Sequence, residues 1–440
     1  MKSSIHSTIP VGWRKIRLKG LLSSRVAGAW GANQGEVEQN SICMRVADFD
    51  FPRGVFAVAP LEDLTVRSYT RKQIEYLQLQ KGDILVEKSG GGDKTPLGRA
   101  VMFDKDYIAV FSNFMERLRI CAYRVNAKFF YYSWVDKYWT LELYPFVKQT
   151  TGIQNLSMAK LVNEVRIRLP AYVEQERIVA FLDEKCATVD KAIEVKRKQL
   201  ESVEPQWANL LHNVTLRGIR PSRLQKTTNV IIEKIPIGWK LKRLRYIGRC
   251  QNGISKDGQY FGYGFPFVTY GDVYNNMALP VVASGLVEST EDERIRYSVK
   301  RGDVFFTRTS ETADEVGFSS VCLKTIPDAT FAGFVIRVRP VTEDLLPEFA
   351  QYYFRNPFVS QYFAKEMMVV TRASLSQDIL KSLPVLIPPR DEQAQIAQYL
   401  GERRSYFDSL SANLRKQIET LEQYRKSLIH EYVTGVRRVV

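Results

Sequence analysis

The stretch LPAYVEQERIVAFL (residues 169–182) returns as IPPRDEQAQIAQYL (387–400), with Pro, Glu, Gln, Ile and Leu in the same places. Each copy leads from a Pro-bearing strand end into a segment where Gly and Pro nearly vanish and Glu, Gln, Lys, Arg and Leu dominate, the composition of a long helix. Three more matches keep the same order. IPVGW (Ile9–Trp13) returns as IPIGW (Ile235–Trp239). KGDIL (81–85) returns as RGDVF (301–305), and Leu156-Ser157 returns as Leu375-Ser376. Four ordered matches at a nearly constant offset mean an internal duplication, and so two similar bodies in one chain.

Each half shares one plan. A β-rich block comes first, about 12–155 and 238–370. The first block holds GDILVEK, RAVMF and YIAVF; the second holds FPFVTY, GDVFFTRT, SSVCL and FAGFVIRVRP. These are short Val, Ile and Phe runs bounded by Gly and Asp. Aromatic-rich helices are expected at 127–139 and 345–357, and each block closes on a strand, VRIRLP (165–170) or LPVLIPP (383–389).

Long helices follow, from Glu174 to about His212 and from Glu392 to about Val433. The second carries an apolar stripe at Phe407, Leu410, Leu414, Ile418, Leu421 and Leu428. The matching stripe in the first is Val189, Ala192, Lys196, Leu200, Val203 and Leu210, interrupted by Lys196, and Pro205 is expected to kink it. About 30 residues give ~45 Å of helix, more than a block of this size needs for its own cover, so the stripes are expected to pack on each other.

The fold class that follows is α+β: two similar β-rich domains separated by two long antiparallel helices, with a pseudo-two-fold internal repeat. Its segments are a first domain (1–170), a first helix (171–213) and a basic linker (214–234). A second domain (235–388), a second helix (389–434) and a short tail (435–440) complete the chain.

The 440 residues carry 63 Lys and Arg against 48 Asp and Glu, a net charge of +15 that favours a polyanionic partner. Hydrophobic residues at 45% and charged residues at 25% exclude a disordered or collagen-like chain. Five scattered cysteines (Cys43, Cys121, Cys186, Cys250, Cys322) form no CxxC pair, which reads as reduced thiols in a cytoplasmic protein. With only His6, His212 and His430, a Cys/His zinc site is not expected. The N-terminus lacks the apolar run of a signal peptide, and no segment is long and apolar enough to span a membrane.

Motifs for chemistry fail one after another. SGGGDKTPLG (89–98) follows a strand, but Asp93 stands where a P-loop needs Gly, and its charge repels phosphate. FGYGF (261–265) lacks the strand-helix setting of the Gly-rich turn that binds S-adenosylmethionine and reads as an aromatic-Gly turn between strands. Asp83 and Asp303 are explained by Gly-Asp turns that open strands. No amino-methyltransferase signature, metal-nuclease carboxylate set or nucleophile group is visible, so no catalytic residue and no metal site is assigned.

Binding chemistry remains. Lys88, Ser89, Lys94 and Arg99 surround the first Gly loop, and Arg308, Thr309 and Ser310 occupy the equivalent loop of the second block. Thr151, Gln154 and Asn155 match Thr371 and Arg372 ahead of the repeated Leu-Ser. Such side chains position on phosphates and read base edges. For any one of them a solvated surface role is the simpler reading; their recurrence in matching loops is what marks the loops. Two similar blocks held in opposite orientation suit the local two-fold symmetry of duplex DNA, with half-sites about one helical turn (~34–36 Å) apart. Because the blocks differ in sequence, the expected target is bipartite and asymmetric with a fixed gap.

This order of parts resembles the DNA-specificity subunit of type I restriction–modification systems. The residues carrying the likeness are the IPxGW openings, the K/R-G-D turns, the Leu-Ser turns and the Pro-x-x-x-Glu-Gln-x-x-Ile-x-x-x-Leu helix entries (Pro170–Leu182, Pro388–Leu400). The resemblance implies two target-recognition domains reading double-stranded DNA, with the helices setting the gap. It also implies two methyltransferase (modification) subunits using S-adenosylmethionine, and motor/nuclease (restriction) subunits using ATP and Mg. This chain itself would hold no cofactor and perform no reaction. Three other readings stay open from sequence: service to a fused methyltransferase–nuclease, an enzyme with an unrecognised site, and a duplicated RNA-binding scaffold.

Overall fold

The Gly-Asp turns open strands whose apolar runs are continuous, and continuity means burial on both faces. In the computed structural model, which describes residues 9–51, 54–56, 60–90, 95–150, 153–309, 316–367 and 374–439, both strands behave this way. Along Ile84–Glu87, Ile84 and Val86 enter one core while Leu85 enters another. Along Val304–Thr307, Val304 and Phe306 enter one core while Phe305 enters another. The period of two sends neighbouring side chains to opposite layers.

These strands sit inside four-stranded sheets of the same order. The first sheet runs Leu22–Ala27, Met115–Ile120, Ile84–Glu87, Ala100–Met102; the second runs Gly248–Asn252, Val335–Pro340, Val304–Thr307, Ser319–Val321. A three-stranded sheet in each repeats a parallel pair: Ala109–Phe111 beside Gln39–Met44, and Thr330–Phe331 beside Phe261–Val268. The block-closing strands Arg166–Leu169 and Pro384–Ile387 pair antiparallel with Arg14–Arg17 and Lys240–Arg243. The expected aromatic helices form at Ala127–Trp139 and Pro347–Tyr353. The topology is therefore duplicated along with the sequence.

The long helices span Tyr172–Arg217 and Arg390–Val433, a few residues beyond the expected bounds. The first runs on as helix through Pro205. The carbonyl this proline leaves without its usual partner belongs to Glu201, on the exposed side. Its buried seam runs Ile178, Leu182, Cys186, Val189, Ile193, then Val203, Trp207, Leu211 and Val214, in steps of three and four. Ile193 and Leu211 are buried where the sequence stripe has Ala192 and Leu210, a one-residue difference of frame at each place. In the second helix, Arg425 fills the gap between Leu421 and Leu428 and is itself buried.

The chain divides into two units, Met1–Arg197 with Lys416–Val440, and Lys198–Arg415. Each unit takes the start of one long helix and the end of the other. Within the first unit the helical segments pack antiparallel. The Phe181 and Tyr432 rings are 4.5 Å apart, Arg425 pairs with Asp190 at 2.9 Å, and Arg197 with Glu422 at 2.8 Å. Within the second unit, Trp207 packs on Phe407 with ring centroids 5.9 Å apart, and Arg404 lies over the same indole at 5.3 Å.

The basic linker holds a short antiparallel pair, Leu224–Lys226 with Lys234–Pro236. One local reading differs from expectation. FGYGF lies within the strand Phe261–Val268, not in a turn between strands. Phe261 and Phe265 both register with Val287, and the segment between them is looped out on the positive φ of Gly262 and Gly264.

Candidate nucleic-acid interface

The repeated motifs are spent on building each unit. The IPxGW tryptophans tie the block entry to the helix entry: Trp13 Nε1 donates to Glu174 Oε1 (3.2 Å), and Trp239 Nε1 to Glu392 Oε2 (2.9 Å). The turn aspartates accept forked pairs. Arg119 Nε and Nη2 reach Asp83 at 2.8 and 2.7 Å, and Arg339 Nε and Nη2 reach Asp303 at 2.7 and 2.6 Å. Asp83 and Asp303 also accept the amides of Gln80 and Lys300, both at 2.8 Å, closing the turns. The helix-entry glutamines bridge as well: Gln175 accepts from the Asn126 amide and donates to Pro170 O, and Gln393 does the same with Leu346 and Pro388. None of these groups is left over for a ligand.

What remains at the strand ends is a partly exposed loop cluster in each unit. In the first, Lys88 continues the buried strand. Its amide donates to Phe114 O (2.9 Å) and its carbonyl accepts from the Leu156 amide (2.7 Å). Ser89 pairs in register with Asn155 and donates from Oγ to Asn155 Oδ1 at 2.7 Å. Gln154, one position earlier, is buried and its Oε1 has no hydrogen-bond partner among the described residues. Arg99 is engaged elsewhere, with Nε and Nη2 gripping the buried Glu87 carboxylate at 2.7 and 2.8 Å. That hydrogen bonding holds the guanidinium pKa above its ordinary value.

The second unit builds the same corner. The Arg308 amide donates to Phe334 O (2.9 Å), its carbonyl accepts from the Leu375 amide (2.7 Å), and Thr309 bridges to Ser374. Tyr270 donates its hydroxyl to Thr309 O at 2.9 Å. The structure therefore brings Lys88, Ser89, Gln154 and Asn155 together, and Arg308 with Thr309. Lys94, Thr151, Ser310, Thr371 and Arg372 lie outside the described residues.

Sequence reasoning missed several neighbours of these corners. Trp30 and Arg45 help line a cleft of about 300 Å³ beside Ser89 and Gly90, yet they come from a segment with no repeat signal. Gln377 donates to Asn252 Oδ1 at 3.0 Å in the second unit. Among the described residues, no group of three or more His, Cys, Asp or Glu is arranged to hold a metal ion. No helix among them is long and apolar enough to cross a membrane. Burial pushes the Cys186, Cys250 and Cys322 thiols up to about 11, which marks them as packing groups and not nucleophiles.

The architecture defines a class: a duplicated α+β chain in which each half carries a basic, hydroxyl- and amide-bearing loop corner on a shared helical frame. Residues 50–204 and 236–423 match the family model described as the type I restriction modification DNA specificity domain, and the chain belongs to that family. It is similar to the type I restriction enzyme EcoKI specificity subunit of Escherichia coli K12, with 23% identity over 288 residues, 64% of this chain and 60% of the relative. It is also similar to the MjaIX specificity subunit of Methanocaldococcus jannaschii, with 27% identity over 207 residues, 46% of this chain and 45% of the relative. These alignments thus span about half to three-fifths of the curated relatives' length.

Among solved structures, a chain reported under the structural basis of complex assembly and conformational transition of the type I R-M system superposes with a TM-score of 0.71. It is 16% identical, and the match covers 97% of this chain and 99% of that one. The HsdS subunit from Thermoanaerobacter tengcongensis gives a TM-score of 0.55 at 15% identity, covering 99% and 100%. The likeness in fold runs over nearly the whole chain.

Proposed function

We propose that this chain is the DNA-recognition subunit of a type I restriction–modification complex working in the cytoplasm. Each unit reads one half of an asymmetric, bipartite site in double-stranded DNA. The observation that carries this reading is the pair of equivalent loop corners with unequal side chains, Lys88-Ser89 with Asn155 against Arg308-Thr309 with Ser374, on one repeated framework. Equal frameworks place the corners equivalently, and unequal side chains read different bases. The net charge of +15 supplies attraction to phosphates.

The chain performs no catalysis in this reading. It directs two adenine methyltransferase subunits and the motor/nuclease subunits to the site; S-adenosylmethionine, ATP and Mg belong to those partners. The long helices, each contributing to both units, set the length of the unread gap.

The test is exchange of residues 238–370 for the same block of a relative, followed by sequencing of methylated adenines in cells carrying the chain and its methyltransferase partner. One half-site changes and the other is retained. Simultaneous change of both half-sites, or absence of any sequence-dependent methylation with the unaltered chain, overturns the reading.

A further inference from the structure

A fifth internal repeat lies at the loop corners: FSNFM (111–115) returns as FAGFV (331–335), at the same offset as the Gly-Asp turns. Its two phenylalanines behave oppositely in both copies. Phe111 and Phe331 are fully buried, whereas Phe114 is 42% and Phe334 66% exposed. An exposed Phe seen once needs no explanation. The same exposed Phe at equivalent places of a duplicated fold, each hydrogen-bonded through its carbonyl to the amide of the cluster's basic residue, calls for one.

Both turns are held firmly. The Met115 amide donates to Ser112 O (3.1 Å) and the Val335 amide to Ala332 O (3.0 Å), so each exposed Phe rides on a closed turn. A neighbouring segment braces that turn in each unit. Gly28 and Ala29 amides donate to Met115 O and Phe111 O, and Gly253 and Ile254 amides donate to Val335 O and Phe331 O. A Cβ on Gly28 would come 2.1 Å from Ser112 O, and one on Gly253 would come 2.2 Å from Ala332 O, so only glycine lets the brace approach this closely. The phenylalanines are thus presented with little backbone freedom left to lose on binding.

Their surroundings favour nucleic acid over an apolar protein groove. Lys88 or Arg308 stands beside each Phe and is followed in the chain by a hydroxyl residue, Ser89 or Thr309. Basic and hydroxyl side chains anchor phosphates and base edges, while Phe makes apolar contact with a base, the thymine methyl above all. The corners also differ where they should. In the first unit Phe114, Trp30 and Arg45 help line the 300 Å³ cleft. In the second, Ser255 holds the place that follows the brace glycine as Trp30 does in the first.

Resting on the reading above, we infer that Phe114 and Phe334 are specificity-determining residues, each making an apolar contact to a base of its own half-site. The experiment uses the full chain assembled with its methyltransferase partner and the target found by methylation sequencing. Affinity is measured for the intact site, for duplexes with one half-site base replaced at a time, and for unrelated duplex. F114A lowers affinity for the intact site about tenfold and abolishes discrimination at a base of one half-site. F334A does the same at the other half-site. Affinity for unrelated duplex and the thermal midpoint stay unchanged, and F114L or F334L recovers part of the loss. Base discrimination equal to that of the unaltered chain, or equal losses on intact and unrelated duplex, overturns the inference. If the unaltered chain itself fails to distinguish intact from unrelated duplex, it is the proposed function that falls.

Discussion

His430 Nδ1 lies 2.8 Å from Oδ1 of the buried Asp136, pinning the end of the second long helix to the aromatic helix of the first unit. The equivalent contact in the second unit joins His212 Nδ1 to Asn356 Oδ1 at 3.2 Å. Two of the three histidines therefore do the same structural work, tying the end of a long helix to a β-rich block. Only the first unit sets a carboxylate opposite its histidine.

Stability of the first unit should depend on pH through this pair. The hydrogen bond to Asp136 holds the His430 pKa above its ordinary value, against burial, which lowers it. A raised folded-state pKa contributes stability that is complete below the unfolded value of about 6.5 and is lost as pH rises through the folded value. The imidazole is about half exposed, so the effect stays below about 1 kcal/mol. Thermal unfolding followed from pH 5.5 to 8.5 should show a decline that His430→Asn flattens.

Removing a turn aspartate should be costly. The Asp303 side chain is buried and takes both arms of the Arg339 fork together with the Lys300 amide. Asp303→Ala leaves the partly buried Arg339 guanidinium with only the Ser298 oxygens as partners and the Lys300 amide unpaired, a loss of about 3 kcal/mol. Asp83→Ala acts alike in the first unit. Denaturant unfolding of both variants checks this, with Asp→Asn losing less than Asp→Ala.

The helical seam should answer differently to its two charged members. Arg425 is buried among the seam residues and pairs with Asp190 at 2.9 Å; Trp207 holds the equivalent place in the other helix. Replacing a buried pair with apolar groups is often neutral, whereas stranding one charge is expensive. Asp190→Ala should therefore lower the thermal midpoint more than the double change Arg425→Leu with Asp190→Leu.

Lys88 and Arg99 should separate in DNA binding. Lys88 is the phosphate contact expected at this corner. Lys88→Ala should weaken binding on every duplex and reduce the slope of log affinity against log salt by about 1. Arg99 neutralises the buried Glu87, so Arg99→Ala should act mainly by destabilising the first unit. Salt titrations of both variants alongside thermal unfolding distinguish the two roles.

The duplication, the strands behind the Gly-Asp turns and the long helices were legible in sequence because their causes are local. Gly82 and Gly302 supply the positive φ their turns need, and an unbroken run of helix-forming residues continues as helix through Pro205. The motifs that announced the repeat proved to be braces, for Trp13, Asp83 and Gln175 all find partners inside their own unit. Matching residues were easier to see than their duties. A short repeat records a shared environment and does not say whether that environment faces solvent, core or ligand.

The amino-acid order alone determined that this protein is two similar α+β halves with long helices and a basic surface, since periodicity, turn chemistry and charge are carried by neighbouring residues. Tertiary structure decided that each unit takes the start of one helix and the end of the other, that the seam turns on Ile193 and Leu211, and that Arg99 belongs to Glu87. It also decided which phenylalanine of each FxxF faces outward. Those outcomes depend on partners far apart in the chain, and burial, ion pairing and seam register are set only when such partners meet.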